Sequence, residues 1–107
     1  MEQIINSNDT IDTFSVYQIL RVEGYSKTIS ENIESIAYEI DEDHREYNTP
    51  KMSFLTFFRF LDNVKKGSDL TALCDSYELS DFVKAEIKEK MQSVKAVNYS
   101  SVFDFFN

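Results

Sequence analysis

The sequence predicts an all-α fold, a small single-domain bundle of about five helices followed by a short flexible C-terminal tail. Three observations predict it. Apolar residues recur at steps of three and four along most of the chain. Ser, Thr and Asp stand before these periodic segments and glycine after them, where helix caps belong. Only two Gly and one Pro occur in 107 residues, too few for a turn-rich β architecture. A 42% hydrophobic and 28% charged composition supplies one core and does not resemble a disordered chain.

The first helix is expected over residues 12–23, where Phe14, Val16, Tyr17, Ile19 and Leu20 share helical spacings and Gly24 stops the element. Thr28-Ile29-Ser30-Glu31 has the form of a capping box, in which Glu31 reaches back to the cap amide. It opens a second helix with Ile29, Ile33, Ile36, Ala37, Ile40 and His44 on one face. Thr49-Pro50 punctuates next, since proline is tolerated in the first helical turn. Met52, Phe54, Leu55, Phe57, Phe58, Phe60, Leu61 and Val64 then point around almost the whole of a third helix. Such a helix is either the centre of the core or carries a second face for a partner. Lys65-Lys66-Gly67 closes it with cations at the negative end of the dipole. Ser68 or Asp69 is expected to cap a short helix bearing Leu70, Leu73, Cys74 and Tyr77. Ser80 is expected to cap a last long one with Phe82, Val83, Ile87, Met91 and Val94 as its stripe and Glu86–Lys90 as an i,i+4 pair. The chain thus divides into a helical body, residues 1–97, and a partner-binding tail, residues 98–107.

The net charge is −8, and it is polarised. Residues 1–49 hold eleven acids against Arg21, Lys27 and Arg45, whereas residues 50–107 balance. A phosphate backbone is repelled by such a surface, so direct nucleic-acid binding is not expected. The acidic stretch 31–46 reads as a solvated helix face or as a patch that mimics nucleic acid. Residues 70–91 could be spaced as a helix-turn-helix, but Asp81 and Glu86 make its second helix a poor face for phosphates, and two packed helices is the simpler reading. His44 is the one histidine and Cys74 the one cysteine. They lie far apart in sequence, with no recurring ligand spacing and no phosphate-cradling glycine loop, so neither metal, cofactor nor enzymatic activity is expected. Both read as buried structural residues. The first ten residues lack the features of a signal peptide and no apolar run approaches the ~18 residues that span a bilayer. A cytoplasmic protein, monomeric when free and without membrane contact, is the expectation.

The tail is the sharpest signal. Val102, Phe105 and Phe106 fall at i, i+3, i+4, so one helical turn gathers them on one side, with Ser101 as its cap and Phe103 off that face. Burying the three anchors is worth roughly 5–8 kcal/mol before ordering costs. Ser101-Val102-Phe103-Asp104-Phe105-Phe106 resembles the C-terminal sliding-clamp-binding motif of T-even-type bacteriophage proteins: Ser or Thr, an aliphatic residue, two spacers and paired Phe or Leu. Val102 stands where Leu is usual. With its small acidic helical body, the chain is similar to the late-transcription coactivators of those phages. That resemblance implies a non-enzymatic adaptor in the host cell cytoplasm. Its body would bind the β-subunit flap of the host RNA polymerase, and Val102, Phe103, Phe105 and Phe106 would bind the phage sliding clamp. Chemistry alone nominates Phe54, Phe57 and Phe58 as partner-binding residues of the body. The alternative is a phage-encoded acidic inhibitor of a host nucleic-acid enzyme or defence system, acting as a DNA mimic through residues 31–46.

Overall fold

Regular structure among the described residues is helical. A computed structural model describes residues 9–106; the segment read for targeting signals lies largely outside that range, as does Asn107. Seven helices are described where about five were expected: α1 (Thr13–Val22), α2 (Lys27–Tyr47), α3 (Phe54–Lys65), α4 (Leu70–Ser76), α5 (Asp81–Glu89), α6 (Met91–Ala96) and α7 (Tyr99–Asp104). Among the described residues the one β feature is an isolated antiparallel bridge between Thr10 and Ser53.

Local chemistry explains most boundaries. Asp12 caps α1 by accepting from the Phe14 N–H, and Gly24 follows at φ +97°, a conformation that costs glycine little. The capping residue of α2 is Ser26 and not Thr28: its Oγ accepts from the Ile29 N–H at 3.1 Å. The helix therefore begins before the expected capping box, and Glu31 stands exposed one turn in. Ser53 caps α3 through the Thr56 N–H, and Asp69 caps α4 through those of Thr71 and Ala72. At α5 the capping group comes from elsewhere. Ser80 occupies the position without a side-chain cap bond, and Asp43 of α2 accepts from the Ser80 N–H at 3.1 Å. A carboxylate at the positive end of a helix is favoured by the dipole, so Asp43, though buried, has a structural task. The expected long helix over 80–97 breaks at Lys90 (φ −97°, ψ 15°) into α5 and α6. Glu86, expected to pair with Lys90, instead accepts from the Ser35 hydroxyl of α2, and Lys90 pairs with Glu89.

The core runs the length of α3. Phe54, Phe57, Phe58, Phe60, Leu61 and Val64 are all buried, so its apolar circumference belongs to the central core helix. Helix α2 packs on α1, α5 and α6, while α3 meets α4, α6 and α7. Phe57 and Phe58 meet edge-on at 5.1 Å between ring centroids, as do Phe60 and Tyr77 at 5.3 Å, the geometry that aromatic quadrupoles favour. Among the described residues no helix is long and apolar enough to cross a membrane.

Candidate functional site: the seam between α7 and α3

The segment that carries the motif is built onto the body. The Asn98 N–H donates to the Tyr25 hydroxyl at 2.6 Å, and the Lys65 Nζ of α3 donates to the Val97 carbonyl at 2.8 Å. These two bonds hold the chain just before α7. The helix starts at an Asn98 cap whose Oδ1 accepts from the Ser100 N–H at 3.2 Å; Ser101, expected as the cap, lies inside it. Tyr99 is 1% exposed, and its hydroxyl donates to the Val94 carbonyl at 3.0 Å. Desolvation holds that phenol well above the ordinary tyrosine range, with Asp62 adding to the effect.

Tyr99, Val102, Phe103 and Phe106 stand at i, i+3, i+4, i+7, one stripe of a helix. Val102 is fully buried. The Phe106 ring lies 6.3 Å from that of Phe54 and 6.0 Å from that of Phe58, and Tyr99 lies 6.4 Å from Phe58. Phe105 meets Phe106 edge-on at 6.2 Å. Phe103, Phe105 and Phe106 are all half-buried and Asp104 is exposed. Phe103, expected off the anchor face, therefore packs against the core alongside Phe105 and Phe106.

The surroundings of the motif residues and of the nominated body residues are as follows. Residues 98–106 are continuous with the body. Phe54, Phe57 and Phe58, nominated as a partner-binding face of the body, are 3%, 0% and 0% exposed. Helix packing consumes Phe57, while Phe54 and Phe58 receive Phe106. The second apolar face of α3 has an occupant within its own chain, residues 99–106. The sequence reading missed Tyr99, although Asn98 before a 99-102-103-106 spacing carried the signal of a capped amphipathic turn.

The other candidates take structural places. His44 is buried, with Nδ1 lacking a hydrogen-bond partner, and it lines a shallow hollow of about 320 Å³ with Lys51, Ser53, Thr56 and Tyr77. Cys74 is buried as a free thiol, and desolvation pushes its pKa above the ordinary 9.0. Among the described residues no group of three His, Cys, Asp or Glu side chains is placed to hold a metal ion. In the acidic stretch, Arg45 pairs with Asp41 at 2.9 Å and with Glu42, and Asp43 is the buried cap of α5. Burial, with Glu31 and Asp12 nearby, raises the Glu34 carboxyl above its usual range. Helices α4 and α5 pack together, with Lys84 Nζ donating to Thr71 Oγ1 at 3.1 Å.

Fold and seam define a small all-α domain whose last described helix plugs an aromatic groove on its central one. The chain matches no known protein family, no curated protein and no solved structure.

Proposed function

We propose that the protein is a non-enzymatic transcription adaptor of a bacteriophage. Residues 101–106 take the DNA sliding clamp and the helical body takes the host RNA polymerase at its β-subunit flap. One observation carries the reading. The residues that match the clamp-binding motif span the latter part of the six-residue α7 and the turn that follows it, and their three phenylalanines are only half-buried. A helix this short is not stable in isolation, so a partner offering deeper pockets competes with α3 on favourable terms. Val102 is fully buried against the body, and capture by the clamp therefore requires α7 to leave α3. The body then acts as a competitor, and apparent affinity falls by the fraction of molecules with α7 released.

Polymerase contact falls to surfaces other than Phe54, Phe57 and Phe58, which are occupied. The acidic-inhibitor reading ranks second. Its proposed patch loses Asp43 to the α5 cap and has Asp41 and Glu42 paired with Arg45.

The test is binding of a T-even-type sliding clamp to the full chain and to its Phe105→Ala and Phe106→Ala variants. Each substitution is expected to weaken the contact by about 2–4 kcal/mol, the range for a truncated hot-spot aromatic. Polymerase binding is expected to be unchanged. Clamp affinity that survives both substitutions, or full-length protein that binds neither partner, overturns the adaptor reading.

A further inference from the structure

Away from the seam, the junction of α2 and α5 carries an aromatic pair that the core does not use. Phe82, in the first turn of α5, is 77% exposed and Tyr47, the last residue of α2, is 58% exposed. Isolated exposed apolar residues are ordinary. These two instead flank one shallow hollow of about 420 Å³, whose remaining lining is Glu78, Leu79, Ser80 and Asp81. Ser80 Oγ has no hydrogen-bond partner. Glu78 sits in the left-handed region at φ 57°, which places an exposed acid at the lip of the hollow.

The charged side chains that line the hollow are of one sign. Glu78 and Asp81 line the hollow and Glu46 precedes Tyr47, all three exposed. Ion pairs among the described residues join Arg45 to Asp41 and Glu42, Lys51 to Asp41, Lys66 to Asp62 and Lys90 to Glu89. Glu46, Glu78 and Asp81 take no part in them, and no Lys or Arg lines the hollow. Aromatic faces attract cations, and lysine or arginine stems pack along them while the charged head seeks carboxylate.

We propose that Tyr47, Phe82, Glu78 and Asp81 form a docking surface for a basic segment of a partner protein, seating an arginine or lysine between the two rings with an apolar neighbour in the hollow. The carboxylates give orientation and on-rate, and the rings give contact area. This surface is independent of residues 101–106 and stands or falls separately from the adaptor reading.

The experiment is a titration of the full chain, labelled for NMR, with a short amphipathic peptide of alternating leucine and arginine. Its leucine–glutamate counterpart serves as the control. Saturable shifts centred on residues 46–48 and 78–82 are expected with the basic peptide and none with the acidic one. Phe82→Ala should weaken binding about two- to thirty-fold, the range for a lost cation–π contact. The double variant Glu78→Gln, Asp81→Asn should weaken it further and flatten its salt dependence. Phe82 and both acids are exposed, and unchanged far-UV circular dichroism verifies that each variant folds. Three results overturn the proposal: no saturable binding, shifts spread evenly over the acidic surface of α2, or Phe82→Ala binding as tightly as the parent.

Discussion

Replacing Val102 with alanine asks whether α7 belongs to the cooperative fold. Val102 is fully buried against the core, between a capped start at Asn98 and the Phe106 ring seated near Phe54 and Phe58. Val102→Ala removes two carbons from this seam. At ~0.8 kcal/mol per buried carbon the transfer term is about 1.6 kcal/mol. The void left between α7 and α3 raises the total to about 2–3 kcal/mol. For a domain of this size that lowers Tm by roughly 10 °C or more. Urea titration followed by far-UV circular dichroism is the assay: the midpoint should fall with the slope unchanged, the signature of lost stability without a change in exposed area. Asp104→Ala, on the exposed side of the same helix, should stay within about 0.5 kcal/mol of the parent. If Val102→Ala also stays within that margin, α7 contributes nothing to the folded state, and the competition between body and partner has no basis.

Asp43→Ala should cost about 1.5–3 kcal/mol by the same assay, because it leaves the Ser80 N–H without the charged acceptor that begins α5. Stability should fall as pH rises above about 9–10. Tyr99 and Cys74 are both raised in the folded state, so the unfolded chain loses these protons first and the folded chain binds more of them across that window. Tyr99→Phe should flatten the alkaline loss while lowering stability near neutrality by about 1 kcal/mol, through the lost bond to the Val94 carbonyl. Duplex DNA should show no measurable binding at physiological salt, since phosphate contacts supply most non-specific affinity and the chain carries −8. Micromolar affinity with a steep salt slope in a fluorescence anisotropy titration would return α4 and α5 to consideration as a DNA-reading pair.

Much of the fold is legible in side-chain spacing. The stripe Ile33, Ile36, Ala37, Ile40 is buried in full, and Asp12, Asp69, Gly24 and Gly67 mark helix ends where the rules for caps put them. Elements that depend on contacts distant in sequence were not legible. Ser26 and Thr28 both qualify as caps, and the one that opens α2 is not the one followed by glutamate three residues on. Nothing in the residues around Lys90 announces a break; the sequence there is a good helix former, and we find no local cause for it. Asp43 reads as one more acid on a wet face until α5 arrives over it. The seam is ambiguous in sequence for a related reason. An apolar residue at every angle around α3 signals a need for cover, but not whether the cover is a partner or the chain's own residues 99–106. Polar Asn98, Ser100 and Ser101 do not announce a helix by their apolar spacing, yet Asn98 caps α7 and Tyr99 is its most buried large residue.

The most direct test of the adaptor account is a nuclear Overhauser measurement between aromatic rings, taken first on the free protein and then with saturating sliding clamp. In the free protein the Phe106 ring should show cross-peaks to Phe54 and Phe58, from which it is separated by 6.3 and 6.0 Å between centroids. With clamp bound, those cross-peaks should vanish and contacts from Val102, Phe105 and Phe106 to the clamp should replace them. Cross-peaks that persist unchanged under saturating clamp would mean that residues 101–106 serve only to close the core, and the proposed function would be wrong.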